Sequence, residues 1–493
     1  MSISLLHIDK TNFGIVDDAT IYNLEIENSF SVIYPNSRER KSFMTVLRHP
    51  LLNEASILYR QNTIKDFINN PALLEELDLC LRGFKDIVDS HKVEKRILHR
   101  AQASNFFDKS SNEARDILQM NSLTTKKLLI SLQELYSILK KYSIIADSLI
   151  SVRQKLYSIV ETDSFRNIIE TCLFFEHFSL NGNVNCKFTL DESGKVGICQ
   201  LISRRYVSIN NPELSKKKFG IFNKKTDDTD KKDISVKMNR LNGTMSEKLM
   251  ISSILDVADI FENFIQELKN DFYDLYEELS FYKVSLKYYK YMSSLGLPIT
   301  FPGISDQDEQ IVDTIYDVRL ITQADDVKVI VPYSLSLLNK NDNVIILGDN
   351  GAGKTTLLRA LGTMQILAQA GLPIVAENVK VKIYNCILSQ FSEKEKDFGE
   401  GTESGRFEQE VCDLKSIVDK ASPRSCVLLN ETFQSTNYEE GSEALSDILR
   451  YFTYIGASWI LVTHMHEILK YLPLDNMKTI NLEKGFRFKD SIL

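Results

Sequence analysis

Eight residues constrain the fold of this chain more than any others: Gly348-Asp349-Asn350-Gly351-Ala352-Gly353-Lys354-Thr355, with Thr356 next in the chain. They satisfy the pattern G-x-x-x-x-G-K-[ST]. They sit between an apolar run, Val344-Ile345-Ile346-Leu347, and a stretch that reads as helix from about Thr356. The pattern has physical content. Glycines let backbone N–H groups turn inward around a phosphate, and a helix N-terminus adds its dipole. Lys354 brings a point charge to β- and γ-phosphates, and the Thr355 hydroxyl can ligate Mg²⁺. Residues 348–356 are therefore expected to hold ATP with Mg²⁺, in a strand–loop–helix unit of a mainly parallel α/β sheet.

The texture around that motif agrees with such a sheet. Apolar runs at Val379–Ile383, Cys426–Leu429 and Trp459–Val462 alternate with helical segments such as Leu357–Ala370 and Gly441–Phe452, and a last strand is expected at Lys478–Leu482. Upstream, Gly296-Leu297-Pro298 and Pro302-Gly303 mark a domain boundary. Before it, two near-heptad seams stand out. One runs Leu128, Leu132, Leu135, Leu139, Tyr142, Ala146, Leu149, Val152 and Leu156. The other runs Ile254, Val257, Phe261, Phe264, Leu268, Phe272, Leu275 and Leu279. A single helix over Ser246–Met292 would extend roughly 70 Å, a lever's length. Between the seams, Phe174–Asn210 reads as short strands. Arg204–Arg240 then carries eleven Lys/Arg against five Asp/Glu, including Lys216, Lys217, Lys218, Lys224 and Lys225. Such a stretch is a solvated loop or a contact to a phosphate backbone.

Bulk properties exclude several classes. With 493 residues the chain is too long for one core. It is 43% hydrophobic and 26% charged, as an ordinary globular protein is, and the net charge of −8 offers no global attraction for nucleic acid. No apolar run reaches the ~18 residues of a membrane span, and Met1–Asn12 has no secretory pattern. Seven scattered cysteines without a C-x-x-C pair fit a reducing, cytoplasmic setting.

Three further elements lie beyond the glycine loop. Val427-Leu428-Leu429-Asn430-Glu431 ends an apolar strand in polar groups. Glu431 is placed to orient or deprotonate an attacking water, and Asn430 to hold a metal-bound water through its carbonyl, without charge. Ser404-Gly405-Arg406 leads into a helix, Phe407–Val418, and offers a second anion cradle. His464 closes the strand Trp459–Thr463 and is placed to sense a γ-phosphate.

This ordered set, Gly348–Thr355, Ser404-Gly405-Arg406, Leu428–Glu431 with Thr432–Gly441, and Thr463-His464, resembles the ATPase core of the MutS family of DNA mismatch-repair ATPases. Phe43-Met44-Thr45-Val46-Leu47-Arg48-His49-Pro50-Leu51 and Ile57–Ile64 are similar to the segment that opens that family's helical lever. The resemblance covers most of the chain. It implies an ABC-type P-loop ATPase domain at 301–493, preceded by a long all-α lever. The lever parts span 41–173 and 244–300, with a small β-rich, basic, clamp-like insert at 174–243 and a short segment at 1–40. It implies a homodimer whose Ser404-Gly405 loop completes the opposite nucleotide site. Double-stranded or branched DNA would be gripped by its backbone, with Lys216, Lys217, Lys218, Lys224 and Lys225 as contacts, in DNA repair or recombination. The expected form is short, without the mismatch-reading and connector domains or the C-terminal helix-turn-helix, and Asn430 stands where the family has Asp. Two alternatives stay open: an ABC-type chromosome-maintenance ATPase, and a nucleotide-gated protein-interaction module with negligible hydrolysis.

Overall fold

The computed structural model describes residues 3–8, 13–34, 36–102, 111–176, 183–190, 196–205, 243–305, 310–338, 343–392, 403–433, 437–472, 477–482 and 488–489. The chain begins β1 (Ile15–Val16), α1 (Asp18–Asn23), α2 (Ile26–Ser29), α3 (Ser37–Arg48), α4 (Glu54–Asn69) and α5 (Pro71–Gln102). It continues α6 (Ser111–Lys141), α7 (Asp147–Val160), α8 (Asp163–Glu176), β2 (Asn183–Leu190), β3 (Val196–Arg205), α9 (Gly243–Phe272) and α10 (Leu275–Ser294). Then come β4 (Gly303–Ile304), β5 (Gln310–Ile315), α11 (Val318–Gln323), β6 (Tyr333–Leu338), β7 (Asn343–Gly348) and α12 (Lys354–Gln369). The remainder is β8 (Asn378–Val381), β9 (Cys386–Phe391), α13 (Glu403–Lys420), β10 (Ser425–Asn430), α14 (Tyr438–Tyr454), β11 (Ser458–Val462), β12 (Met477–Leu482) and β13 (Phe488–Lys489).

By their contacts these residues form two compact units. One, helical among the described residues apart from the antiparallel pair β2–β3, comprises Met1–Ile3, Glu75–Ser143 and Ser151–Tyr276. The other comprises Ser4–Leu74, Ile144–Ile150 and Glu277–Leu493. Residues 41–74, read from sequence as the start of the helical part, thus group with the sheet.

In the helical unit, Ala114 and Leu118 of α6, Cys172 of α8, and Ile254, Ala258 and Phe261 of α9 form one buried cluster. The α9 seam differs by one position from the sequence reading: Ala258 and Ile265 are fully buried, and Val257 and Phe264 flank them half-buried. The long helix expected over Ser246–Met292 is two helices, broken at Tyr273-Asp274. Phe272 and Leu275 are both buried on either side of the break, so the apolar spacing runs through it. The first seam is broken as well, between Lys141 and Asp147. There the buried Asp66 carboxylate accepts from the backbone N–H groups of both Ile145 and Ala146, each at 2.8 Å. Of the expected insert, Phe174–Glu176 belong to α8, and β2 and β3 pair as its strands. Lys216, Lys217, Lys218, Lys224 and Lys225 lie outside the described residues.

The sheet that positions the site has seven strands among the described residues, in the order β1-β9-β10-β11-β7-β12-β13. All its pairings are parallel except β12–β13. Both faces are covered, which suits the unbroken apolar runs of its strands. On one face Ile345, Leu347, Val427, Leu429, Trp459 and Leu461 meet Leu414 and Ile417 of α13 and Leu445, Leu449 and Phe452 of α14. On the other, Leu361 and Met364 of α12 lie with Cys426, Leu428 and Ile460. A smaller sheet, with four strands among the described residues in the order β4-β8-β5-β6, takes β4–β6 from before β7 and β8 from between β7 and β9.

The helical unit carries a buried polar node centred on His91. His91 of α5 is 2% exposed, with Nε2 2.9 Å from Glu262 Oε2 of α9 and Nδ1 3.2 Å from Thr124 Oγ1 of α6. The hydrogen bond from His91, with those from Lys95 and Gln266, lowers the Glu262 carboxyl from 4.5 to about 2. A depressed carboxyl contributes stability above its unfolded value and loses it as pH falls through the folded one. Glu262→Gln should therefore cost on the order of 1 kcal/mol at neutral pH, discounted for its partial exposure. That difference should shrink between pH 4.5 and about 2. Urea denaturation of both proteins across this range checks it, and a gap that stays constant to pH 2 would contradict it.

Candidate functional site

The site is built at the carboxyl ends of β7, β10 and β11. β11 lies between the other two, with Asn430 opposite Val462 and Val462 opposite Ile346. The parallel register therefore delivers Gly348, Glu431 and His464 to one edge, where open α/β sheets form their crevices. The loop from Gly348 to Gly353 leaves that edge and enters α12 at Lys354.

Glycine is required in this loop for two different reasons. Gly351 and Gly353 adopt φ of 81° and 92°, the left-handed region that side-chain-bearing residues disfavour. Gly348 has φ 146°, and a Cβ there would lie 2.3 Å from the Leu482 carbonyl oxygen of the neighbouring β12. The first backbone N–H groups of α12 have no helical partner by geometry, so they form a ready anion cradle. Asp349 and Asn350 are exposed on the loop and Ala352 is buried beneath it. The buried Tyr333 donates its hydroxyl to the Gly353 carbonyl oxygen at 3.2 Å, and burial pushes its phenol up to about 12.

Lys354 is 5% exposed, and its ammonium folds back into the loop. Nζ donates to the carbonyl oxygens of Gly348 at 2.7 Å and Asp349 at 3.1 Å, and lies 3.7 Å from Glu431 Oε1. Thr355 donates its hydroxyl to Asn430 Oδ1 at 2.9 Å. The positions expected to bind metal are thus in direct contact, and both are neutral oxygens. Among the described residues there is no cluster of three or more His, Cys, Asp or Glu side chains that could hold a metal.

Glu431 turns sharply off β10. Its φ is 55°, and Phe433 two residues on has φ 64°. Left-handed non-glycine residues cost free energy and persist only where the surroundings hold them. Here the Glu431 N–H donates to Val462 O at 2.8 Å, Ser392 Oγ donates to the Glu431 carbonyl at 2.7 Å, and Phe433 is buried in the core. The Glu431 carboxylate is thereby aimed at His464, with Oε2 2.6 Å from Nδ1. A carboxylate only accepts, so Nδ1 carries the proton, and Nε2 lies 3.3 Å from the Tyr438 hydroxyl. The Tyr438 and His464 rings meet edge to face, 5.4 Å apart.

The structure thus brings together Gly348, Gly351, Gly353, Lys354, Thr355, Asn430, Glu431 and His464. Ser404 and Gly405 lie in the first turn of α13, and Thr356 in that of α12. Tyr333, Ser392 and Tyr438 were not read from the sequence as part of this constellation. They belong to no contiguous motif; Tyr438 comes after the helix-capping Asn437 like any residue of a first turn.

The sheet and this edge define a class: parallel α/β proteins whose site is made by the ends of adjacent strands and a glycine loop. Residues 344–485 match the family described as MutS domain V. A mitochondrial DNA mismatch repair protein mutS homolog of Sarcophyton glaucum is 31% identical over 150 residues, 30% of this chain and 15% of that protein. The DNA mismatch repair protein MutS of Finegoldia magna is 24% identical over 99% of this chain and 60% of its own length. MutS of Streptococcus pyogenes serotype M18 is 22% identical over 88% of this chain and 52% of its own. The chain is thus similar to MutS proteins, with the family's domain V matched at 344–485, and it spans little more than half the length of the relatives it matches along most of its own length.

The contrast between two loop glycines tests the geometry. Gly348→Ala should destabilise the α/β unit by roughly 2–5 kcal/mol, because the clash is with backbone. Gly351→Ala, with nothing within 4 Å of the new Cβ, should cost only the ~1–3 kcal/mol of its backbone conformation. Urea midpoints for the two variants decide; equal losses would contradict the packing described.

Proposed function

We propose that this chain binds and hydrolyses ATP at the 348–355 loop and uses the nucleotide to gate a homodimer that grips DNA by its backbone, in DNA repair or recombination. The observation that carries the reading is the placement of Lys354, Thr355, Glu431 and His464 at one sheet edge. Lys354 would exchange its two loop carbonyls for β- and γ-phosphate oxygens, leaving the backbone N–H groups of the loop to complete the cradle. Glu431 would orient the attacking water and take its proton, a role for which His464 holds the carboxylate in place. Thr355 and, through water, Asn430 are the residues that would hold Mg²⁺, whose chemistry when bound is to neutralise phosphate charge. Ser404 and Gly405, opening α13, would face the nucleotide of a second copy in an isologous pair. The printed names of the relatives, DNA mismatch repair proteins, support DNA as the partner.

A second reading has one specific observation in its favour. Asn430 brings no negative charge beside Thr355, which suits a site that binds ATP, turns it over negligibly and recruits another protein.

ATP turnover by the full chain, with and without duplex, mismatched and branched DNA, separates the two. We expect DNA-stimulated turnover that is absent in Lys354→Ala and falls by roughly 10²-fold in Glu431→Gln. Tight ATP binding without turnover on any DNA would contradict hydrolysis and favour the second reading. DNA affinity should fall steeply with salt and depend little on sequence. Equal affinity at low and high salt would contradict backbone binding.

A further inference from the structure

We propose that this site holds its nucleotide almost independently of a divalent cation, the metal being carried mainly by the phosphates and only weakly by the neutral oxygens of Thr355 and Asn430. The inference rests on the nucleotide-binding reading of the 348–355 loop. Mg²⁺ at phosphate sites is ordinarily held by one or two carboxylates together with the phosphate oxygens. Here the Thr355 hydroxyl is met by the neutral amide of Asn430, at 2.9 Å, and Asn430 is 7% exposed. The adjacent carboxylate is committed elsewhere: Glu431 Oε2 accepts from His464 Nδ1 at 2.6 Å, and Oε1 lies 3.7 Å from Lys354 Nζ.

This charge distribution has two consequences. A cation arriving with the nucleotide gains little attraction from the protein beyond what the phosphates already supply. A nucleotide arriving without a cation meets no repulsion from position 430, whereas a carboxylate at this buried position would oppose the phosphates. The buried ammonium of Lys354 and the loop N–H groups then carry the neutralisation alone. Introducing a carboxylate by Asn430→Asp reverses both effects, so metal-free binding weakens and binding becomes metal-dependent.

The test is equilibrium binding of a fluorescent N-methylanthraniloyl-ATP to the full chain, in EDTA and in millimolar MgCl₂. Wild type, Asn430→Asp and Lys354→Ala are compared. For wild type the Kd should change by less than ~threefold between the two conditions, and for Asn430→Asp by ~tenfold or more, weaker in EDTA. A wild-type loss of tenfold or more on chelation overturns the proposal, and this arm decides even where Asn430→Asp does not fold. Equal metal dependence in wild type and a folded Asn430→Asp overturns it as well. Binding by wild type in neither condition overturns the nucleotide reading itself, an outcome distinct from binding that appears only with Mg²⁺.

Discussion

The parallel register of β10, β11 and β7 is the constraint on which the site depends. Asn430 pairs with Val462 and Val462 with Ile346. Once that ladder is set, the next residues of each strand emerge side by side, and no further folding is needed to bring Glu431 and His464 to the loop after Gly348. A parallel sheet demands crossovers between its strands. The crossovers here are α12, α13 and α14, which cover the faces while the strand ends stay available. The functional groups thus come from the edge that packing leaves over, and the left-handed Glu431 and Phe433 that follow β10 mark where the chain is bent to aim them.

The sheet is completed by residues far away in the chain. β1 adds in parallel to β9, pairing Ile15 with Cys386. Gly362 of α12 lets that neighbourhood close, since a Cβ there would lie 2.6 Å from Leu428 and 2.8 Å from Leu24. Arg60 fastens the same region. Fully buried, it donates to the carbonyl oxygens of Leu6 at 3.0 Å and Ala370 at 3.3 Å, and burial lowers its guanidinium to about 10. Gly371, at φ 81°, leaves room for it, since a Cβ there would lie 2.8 Å from Arg60 Cβ. Gln369 adds hydrogen bonds from α12 to Leu51 O and Tyr384 O. The segment from Ser4 to Leu74 is therefore structural to the α/β unit rather than an appendage.

What could be read from the sequence came from contiguity. The glycine loop is legible because its strand, turn and helix are adjacent in the chain, and β7, β10 and β11 are legible as apolar runs. The breaks in the long helices were not. Phe272 and Leu275 preserve the seam across one, and the other is held by Asp66, some eighty residues upstream of Ala146. β1 is two residues long and has no pattern of its own. Tyr333 opens β6 and Tyr438 opens α14, and their hydrogen bonds at the site come from tertiary placement, which hydrophobic spacing does not encode. The basic insert residues named from composition lie outside the described residues, so the sequence reading of DNA contact stands as a proposal.

The central claim, that one sheet edge forms a triphosphate site, is tested most directly by a structure with a non-hydrolysable ATP analogue. The account predicts the triphosphate inside the 348–355 loop, Lys354 Nζ moved from the Gly348 and Asp349 carbonyls onto phosphate oxygens, and Glu431 still held by His464 beside the γ-phosphate. A saturated complex with the analogue bound elsewhere, or with Lys354 still folded into the loop, would contradict it.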